Sequence, residues 1–213
     1  MKRYFLCSYR KIRKRSLEDC VEDTRTLFAG LAALDGEMYR WKKLGWSKTK
    51  AMAHPYLDIE DREILRGLLL KGVNHTDYPK EPIPELGYHI GLWNGNPKDE
   101  TSASLSLSNG SYAKTATNAF VLQFPDHGRL DADDALTQRM MQLAVDVLDA
   151  EWAVLYHDHA GFARPDDLFL DRALYISNRM RWWGLKYRSF LARSDRTIRM
   201  PSGRLYFKGN LVP

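Results

Sequence analysis

The chain has 213 residues, 44% of them hydrophobic and 28% charged, and a formal net charge of +5. A chain of this size and make-up buries a substantial core, which excludes wholesale disorder. Its longest apolar runs, such as Leu68–Leu70, fall far short of the ~20 residues a membrane-spanning helix needs. Two cysteines, Cys7 and Cys20, make neither a disulfide framework nor a zinc site. The net charge conceals three blocks, +7 over residues 1–50, −11 over 51–171 and +9 over 172–213. The sequence therefore has an acidic middle between basic ends.

The opening MKRYFLCSYRKIRKR has too short an apolar core for a secretory signal, and the cysteine usage fits a reducing setting. The expected location is the cytoplasm. Arg3–Tyr9 alternates as a strand. Ser16 and Asp19 form a capping box for a helix whose stripe runs Leu17, Cys20, Val21, Thr24, Leu27, Phe28, Leu31 and Leu34, with Asp35-Gly36 ending it. Ser47 caps a short helix stopped by Pro55. A further helix begins at Asp58-Ile-Glu-Asp, buries Ile64, Leu65, Leu68 and Leu69, and closes at Gly72. The Pro-rich stretch 78–85 is neither helix nor central strand.

Tyr88–Trp93, Ser102–Leu107 and Ala119–Phe124 then read as a meander of strands. Asn94-Gly95 is a turn signal, with Trp93 at the strand end before it. Asp131–Glu151 is a long amphipathic helix, Trp152–Tyr156 a strand, and Asp166–Arg179 leans helical. Pro201-Ser-Gly203 between apolar runs predicts a closing hairpin. The expected fold class is α+β: one domain over 1–213, an antiparallel sheet (meander 88–124 plus strands near 3–9 and 152–156) with long helices packed on it.

Three constellations bear on chemistry. His157 and His159 in YHDHAG point to one side of a strand at a spacing two metal ligands use, with Asp158 opposite. The other histidines form no second motif, so neither a metal nor a cofactor is expected. No Gly-x-Ser-x-Gly, His-Glu-x-x-His or Walker loop is present, and neither cysteine is followed by a nearby histidine. The expectation is a chain that is not an enzyme. Arg/aromatic segments 9–15 and 179–193 have the composition of a nucleic-acid-binding surface, the alternative function, although bases covering Tyr and Trp rings explain them better. Against that stands the acidic middle, whose clustered carboxylates suit a basic protein partner.

The order of features from Trp41 onward carries a resemblance: GYHIGLWNG, a Ser-rich strand ending in NGSY, TNAFVLQFP, a long helix ending in AEWAVLY, and RWWGLKYRSFL. This resembles the family called immunity protein 52, small α+β proteins encoded beside polymorphic toxins with restriction-endonuclease-like nuclease domains delivered by type VI secretion. The late Gly-Trp-x-x-Tyr-Leu pattern of that family is met only loosely, by Trp182-Trp183-Gly184 and Tyr187. The resemblance implies stoichiometric inhibition of a cognate nuclease toxin in the cytoplasm, with no membrane and no nucleic acid as partner. The toxin-facing residues expected are Asp126, Asp131, Asp133, Asp134, Asp158, Asp166 and Asp167. Trp93, Asn94 and Gly95 are a signature with a structural role.

Overall fold

The computed structural model describes residues 2–34, 40–98, 101–126, 130, 133–157, 172–180 and 191–208. Among them a nine-stranded sheet runs in the order β2-β3-β4-β5-β1-β6-β7-β9-β8. Its strands are β1 (Lys2–Arg10), β2 (Lys42–Lys43), β3 (Tyr88–Trp93), β4 (Ser104–Asn109), β5 (Asn118–Asp126), β6 (Trp152–His157), β7 (Ala173–Ser177), β8 (Arg196–Met200) and β9 (Gly203–Phe207). Every neighbouring pair is antiparallel. The first strand is the middle of the sheet. It pairs along one edge with β5, from Lys2 opposite Asp126 to Arg10 opposite Asn118. Along the other it pairs with β6, from Tyr4 opposite His157 to Tyr9 opposite Trp152.

The described helices are α1 (Leu17–Leu34), α2 (Lys48–Ala53), α3 (Arg62–Lys71) and α4 (Asp134–Leu148). The capping box at the start of α1 forms as predicted: Asp19 N–H donates to Ser16 Oγ at 3.1 Å, and Ser16 N–H to Asp19 Oδ2 at 3.3 Å. Ser47 caps α2 by accepting from Lys50 N–H at 3.3 Å. The next helix starts later than expected. Asp58 accepts from Glu60 N–H in a local turn, and Asp61 is the cap, accepting from Glu63 and Ile64 N–H. Two Asp residues three apart both satisfy backbone donors, and only the second precedes an unbroken helical stripe.

Helices α1, α3 and α4 cover one face of the sheet, and the alternation of each strand decides what they cover. Tyr4 and Leu6 of β1, Leu105 and Leu107 of β4, Phe120, Leu122 and Phe124 of β5, and Leu155 of β6 meet Leu27, Phe28 and Leu31 of α1 and Met140, Met141, Ala144 and Leu148 of α4 in one buried cluster. Residues of opposite parity line the reverse face. There Phe5 stacks on Tyr156 with centroids 5.3 Å apart and Tyr9 on Trp152 at 4.3 Å. These rings join Cys7, Val154, Leu174, Ile176, Met180 and Tyr206 in a second apolar cluster. The same face of β4 carries Ser104, Ser106 and Ser108, so the reverse face is aromatic under β1 and β6 and polar under the meander.

Residues 173–177 correct the helical reading of 166–179; residues 166–171 of that stretch lie outside the described set. All five residues of β7 are buried. A strand buried on both faces shows no alternation and cannot be told from a buried helix turn by periodicity alone.

Ion pairs close the ends. Asp149, the left-handed C-cap residue of α4 (φ 48°, ψ 55°), accepts from Arg10 at the end of β1 and from Arg179 at 2.5 Å. Burial on its own would raise the Asp149 pKa; the hydrogen bonds from Arg179 and Arg10 outweigh it and hold the carboxyl below its usual range. Arg15 donates to Asp23 at 2.7 Å, and Asn109 Nδ2 donates to the same carboxylate at 2.8 Å. Arg10 and Arg15 of the basic run after β1 are thus paired with carboxylates inside the molecule.

Two outcomes follow from this packing. Trp93 is only 8% exposed, so Trp93→Ala should lower the unfolding free energy by about 3 kcal/mol in denaturant titration; a loss below about 1 kcal/mol would mean the indole is not part of the packing. The depressed pKa of Asp149 contributes stability that is present above the ordinary carboxylate pKa of about 4 and is lost as pH falls through the folded value. Asp149→Asn, which tolerates the left-handed backbone, should therefore be less stable than the wild type at pH 7, and the gap should close as pH falls through the depressed folded value. A gap that persists in acid would assign the effect to the backbone cap.

Candidate functional site

Two of the seven acids expected to face a toxin have described side chains, and the fold uses both. Asp133 is the N-cap of α4, accepting from Leu136 N–H at 2.9 Å. Asp134 pairs with Arg172 at 3.2 Å and Arg196 of β8 at 3.7 Å. Asp126 ends β5, and Asp131, Asp158, Asp166 and Asp167 lie outside the described residues. His157 ends β6 beside Tyr4, ring centroids 6.0 Å apart, while His159 lies outside the described residues. Among the described residues no group of three or more His, Cys, Asp or Glu side chains is placed to hold a metal ion.

Tyr9, Arg10, Lys14 and Arg15 of the basic segment 9–15 have partners within the fold. Tyr9 is stacked on Trp152, Arg10 is held by Asp149, Arg15 by Asp23, and Lys14 lies 4.9 Å from the centroid of the Tyr112 ring. Of the segment 179–193, residues 181–190 lie outside the described set, and Arg179 is held by Asp149. Both cysteines are buried and free. Burial pushes the Cys7 thiol up to about 11 against hydrogen bonds from Tyr9 and Tyr156, and burial pushes Cys20 up to about 12, so neither is a ready nucleophile.

The signature turn is a built feature. Asn94 N–H donates to Ala103 O at 2.9 Å, its side-chain amide donates to Thr101 O at 2.7 Å, and its Oδ1 accepts from Asn96 N–H at 3.2 Å. Gly95 has φ +76°, which the turn needs glycine to adopt, and the Tyr56 hydroxyl lies against it, 2.9 Å from where a Cβ would stand. The NGSY and TNA motifs are equally structural. Asn118 Oδ1 accepts from Ser111 N–H at 2.8 Å, and its amide donates to Lys11 O at 2.6 Å.

What leans on the signature turn is an exposed excursion, residues 40–57, that joins α1 to α3. Lys48 Nζ donates to Pro97 O at 2.9 Å and Lys42 Nζ to Met52 O at 2.8 Å. Lys42 also sits over the Tyr56 ring at 4.6 Å, and Lys50 over Trp46 at 4.2 Å. Trp46 is 90% exposed, and Leu44, Met52 and Tyr56 of the same stretch are exposed as well. Residues 40–57 hold five Lys or Arg and no Asp or Glu. Next to them a cleft of about 1080 Å³, lined by Phe28, Ala29, Leu57, Ile59 and Leu143, has Arg40 and Tyr56 on its wall. Trp46 had no role in the reading of the sequence. The available signal was the Trp in a Gly-Trp-Ser turn within a run of bases that contains no acid.

No described helix is long and apolar enough to cross a membrane. No curated protein matches the chain. Among solved structures the fold is similar to that of the Pseudomonas aeruginosa T6SS protein PA0821, with a TM-score of 0.56 and 12% sequence identity over 98% of this chain and 69% of that one. A sequence profile described as Immunity protein 52 matches residues 2–168, from β1 through β6. That span holds the meander, the signature turn and the long helix α4, and by it the chain belongs to the Immunity protein 52 family.

Proposed function

We propose that this chain binds a cognate toxin in the cytoplasm and neutralises it by stoichiometric protein–protein inhibition, acting as one domain without chemistry of its own, and that the toxin carries a nuclease domain. The observation that carries the reading is the family match over residues 2–168. The structure supports it from the other side. Trp93, Asn94, Gly95, Asn109 and Asn118, the residues that carry the family resemblance, all serve packing or turn geometry. The two thiols are buried and unionised at neutral pH. The arginines of 10–15 are paired with carboxylates, which argues against a phosphate-tracking surface there.

In this reading the toxin is recognised by side chains the fold does not consume. Of the acids expected from the sequence, Asp133 and Asp134 are held by the cap and by Arg172 and Arg196, and the side chains of Asp126, Asp131, Asp158, Asp166 and Asp167 lie outside the described set.

Co-expression tests the proposal in cells. The toxin encoded by the adjoining reading frame should arrest growth alone and not when this chain is made with it, and the two should purify together. Growth arrest that persists with both proteins present and folded contradicts the reading.

A further inference from the structure

We infer that the exposed basic and aromatic surface of residues 40–56, seated on the signature turn, is where the toxin docks, and that the toxin meets it with an acidic surface. The inference rests on the immunity reading above and names the face that carries it out.

Isolated surface hydrophobics are ordinary, but a group of large ones is a contact surface. Leu44, Trp46, Met52 and Tyr56 are all exposed within thirteen residues of chain. They do not dangle. Ser47 caps α2, Lys42 ties Met52 to Tyr56, Lys48 is anchored on Pro97, and Tyr56 rests against Gly95. The anchors are therefore held in place before any partner arrives, which lowers the ordering cost of binding. Trp, Tyr and Met flanked by cations is the make-up of a protein interface's central contacts.

The charge selects the occupant. With five bases and no acid over 40–57, an acidic surface is attracted and a basic one repelled. The first acids after the stretch, Asp58 and Glu60, line the adjoining cleft together with Arg25 and Arg40. A protein fits better than a nucleic acid. One face of Trp46 and one of Tyr56 are already taken by Lys50 and Lys42, and Leu44 and Met52 offer nothing to a phosphate backbone. The surface sits at the β2 edge of the sheet, whereas Asp133 and Asp134 sit towards the β8 edge, where Asp134 pairs with Arg196. The two faces can be tested apart.

The experiment is calorimetric and kinetic binding of the full chain to the adjoining-frame toxin, made with an inactivating substitution. Trp46→Ala should raise Kd about thirty-fold or more, with the melting temperature unmoved because the indole is exposed. Lys42→Glu with Lys50→Glu should slow association about ten-fold and flatten its salt dependence. Patch variants that bind within about three-fold of the wild type would overturn this surface and leave the immunity reading standing. Retention on a DNA duplex that Trp46→Ala abolishes would overturn it in favour of a nucleic-acid surface. A wild-type chain that does not bind the toxin overturns both.

Discussion

The N-terminal strand β1 has both of its edges occupied by strands that lie more than a hundred residues further on, β5 along one side and β6 along the other. Because β5 and β6 are each antiparallel to β1, they run parallel to one another, and the chain between them must cross β1 to make the second pairing. Helix α4 is that crossing. Its apolar stripe, from Met140 to Leu148, falls on Tyr4, Leu6 and their neighbours, and α1 packs beside it. The same geometry brings the end of α4 to the end of β1, where Asp149 receives Arg10. Just beyond, Asp23 receives Arg15. The Arg10–Asp149 pair joins the basic first block of the sequence to its acidic middle, and it needs β1 in its central place.

Local chemistry was legible wherever one residue type has one physical use. The capping box at Ser16, the Ser47 cap, the alternation of Ser and Leu in β4, the glycine turn after Trp93 and the hairpin at Pro201 could all be read from the chain and all form. The order of strands was not legible, because nothing local in KRYFLCSYR marks it as the central strand rather than an edge. Nor was β7, whose Ala173, Leu174, Tyr175 and Ile176 are buried on both sides and so lack the period that distinguishes strand from helix. The start of α3 moved from Asp58 to Asp61 because either aspartate can cap.

The candidate site divides along the same line. Its structural half, the turn of Asn94 and Gly95, was recognisable because turns use few residues. Its exposed half was not, because exposure is a property of the fold: Trp41, Trp46 and Trp93 look alike in sequence, and only Trp46 stands in solvent. The acids chosen from sequence met the opposite fate. Asp133 and Asp134 are acidic for α4 and for the arginines beside it, which a charge count cannot foresee. In an inhibitor, function belongs to the side chains that packing, capping and ion pairing leave over, and these become identifiable only once the fold has accounted for the rest.

The central claim is inhibition by occupancy. Its most direct measurement is a titration of the purified toxin's activity with this chain, at toxin concentrations well above Kd. The account predicts a linear fall to zero at one equivalent, with active, unmodified toxin recovered when the complex is unfolded and the toxin refolded alone. Complete inhibition at a small fraction of an equivalent, or a toxin recovered chemically altered, would contradict it.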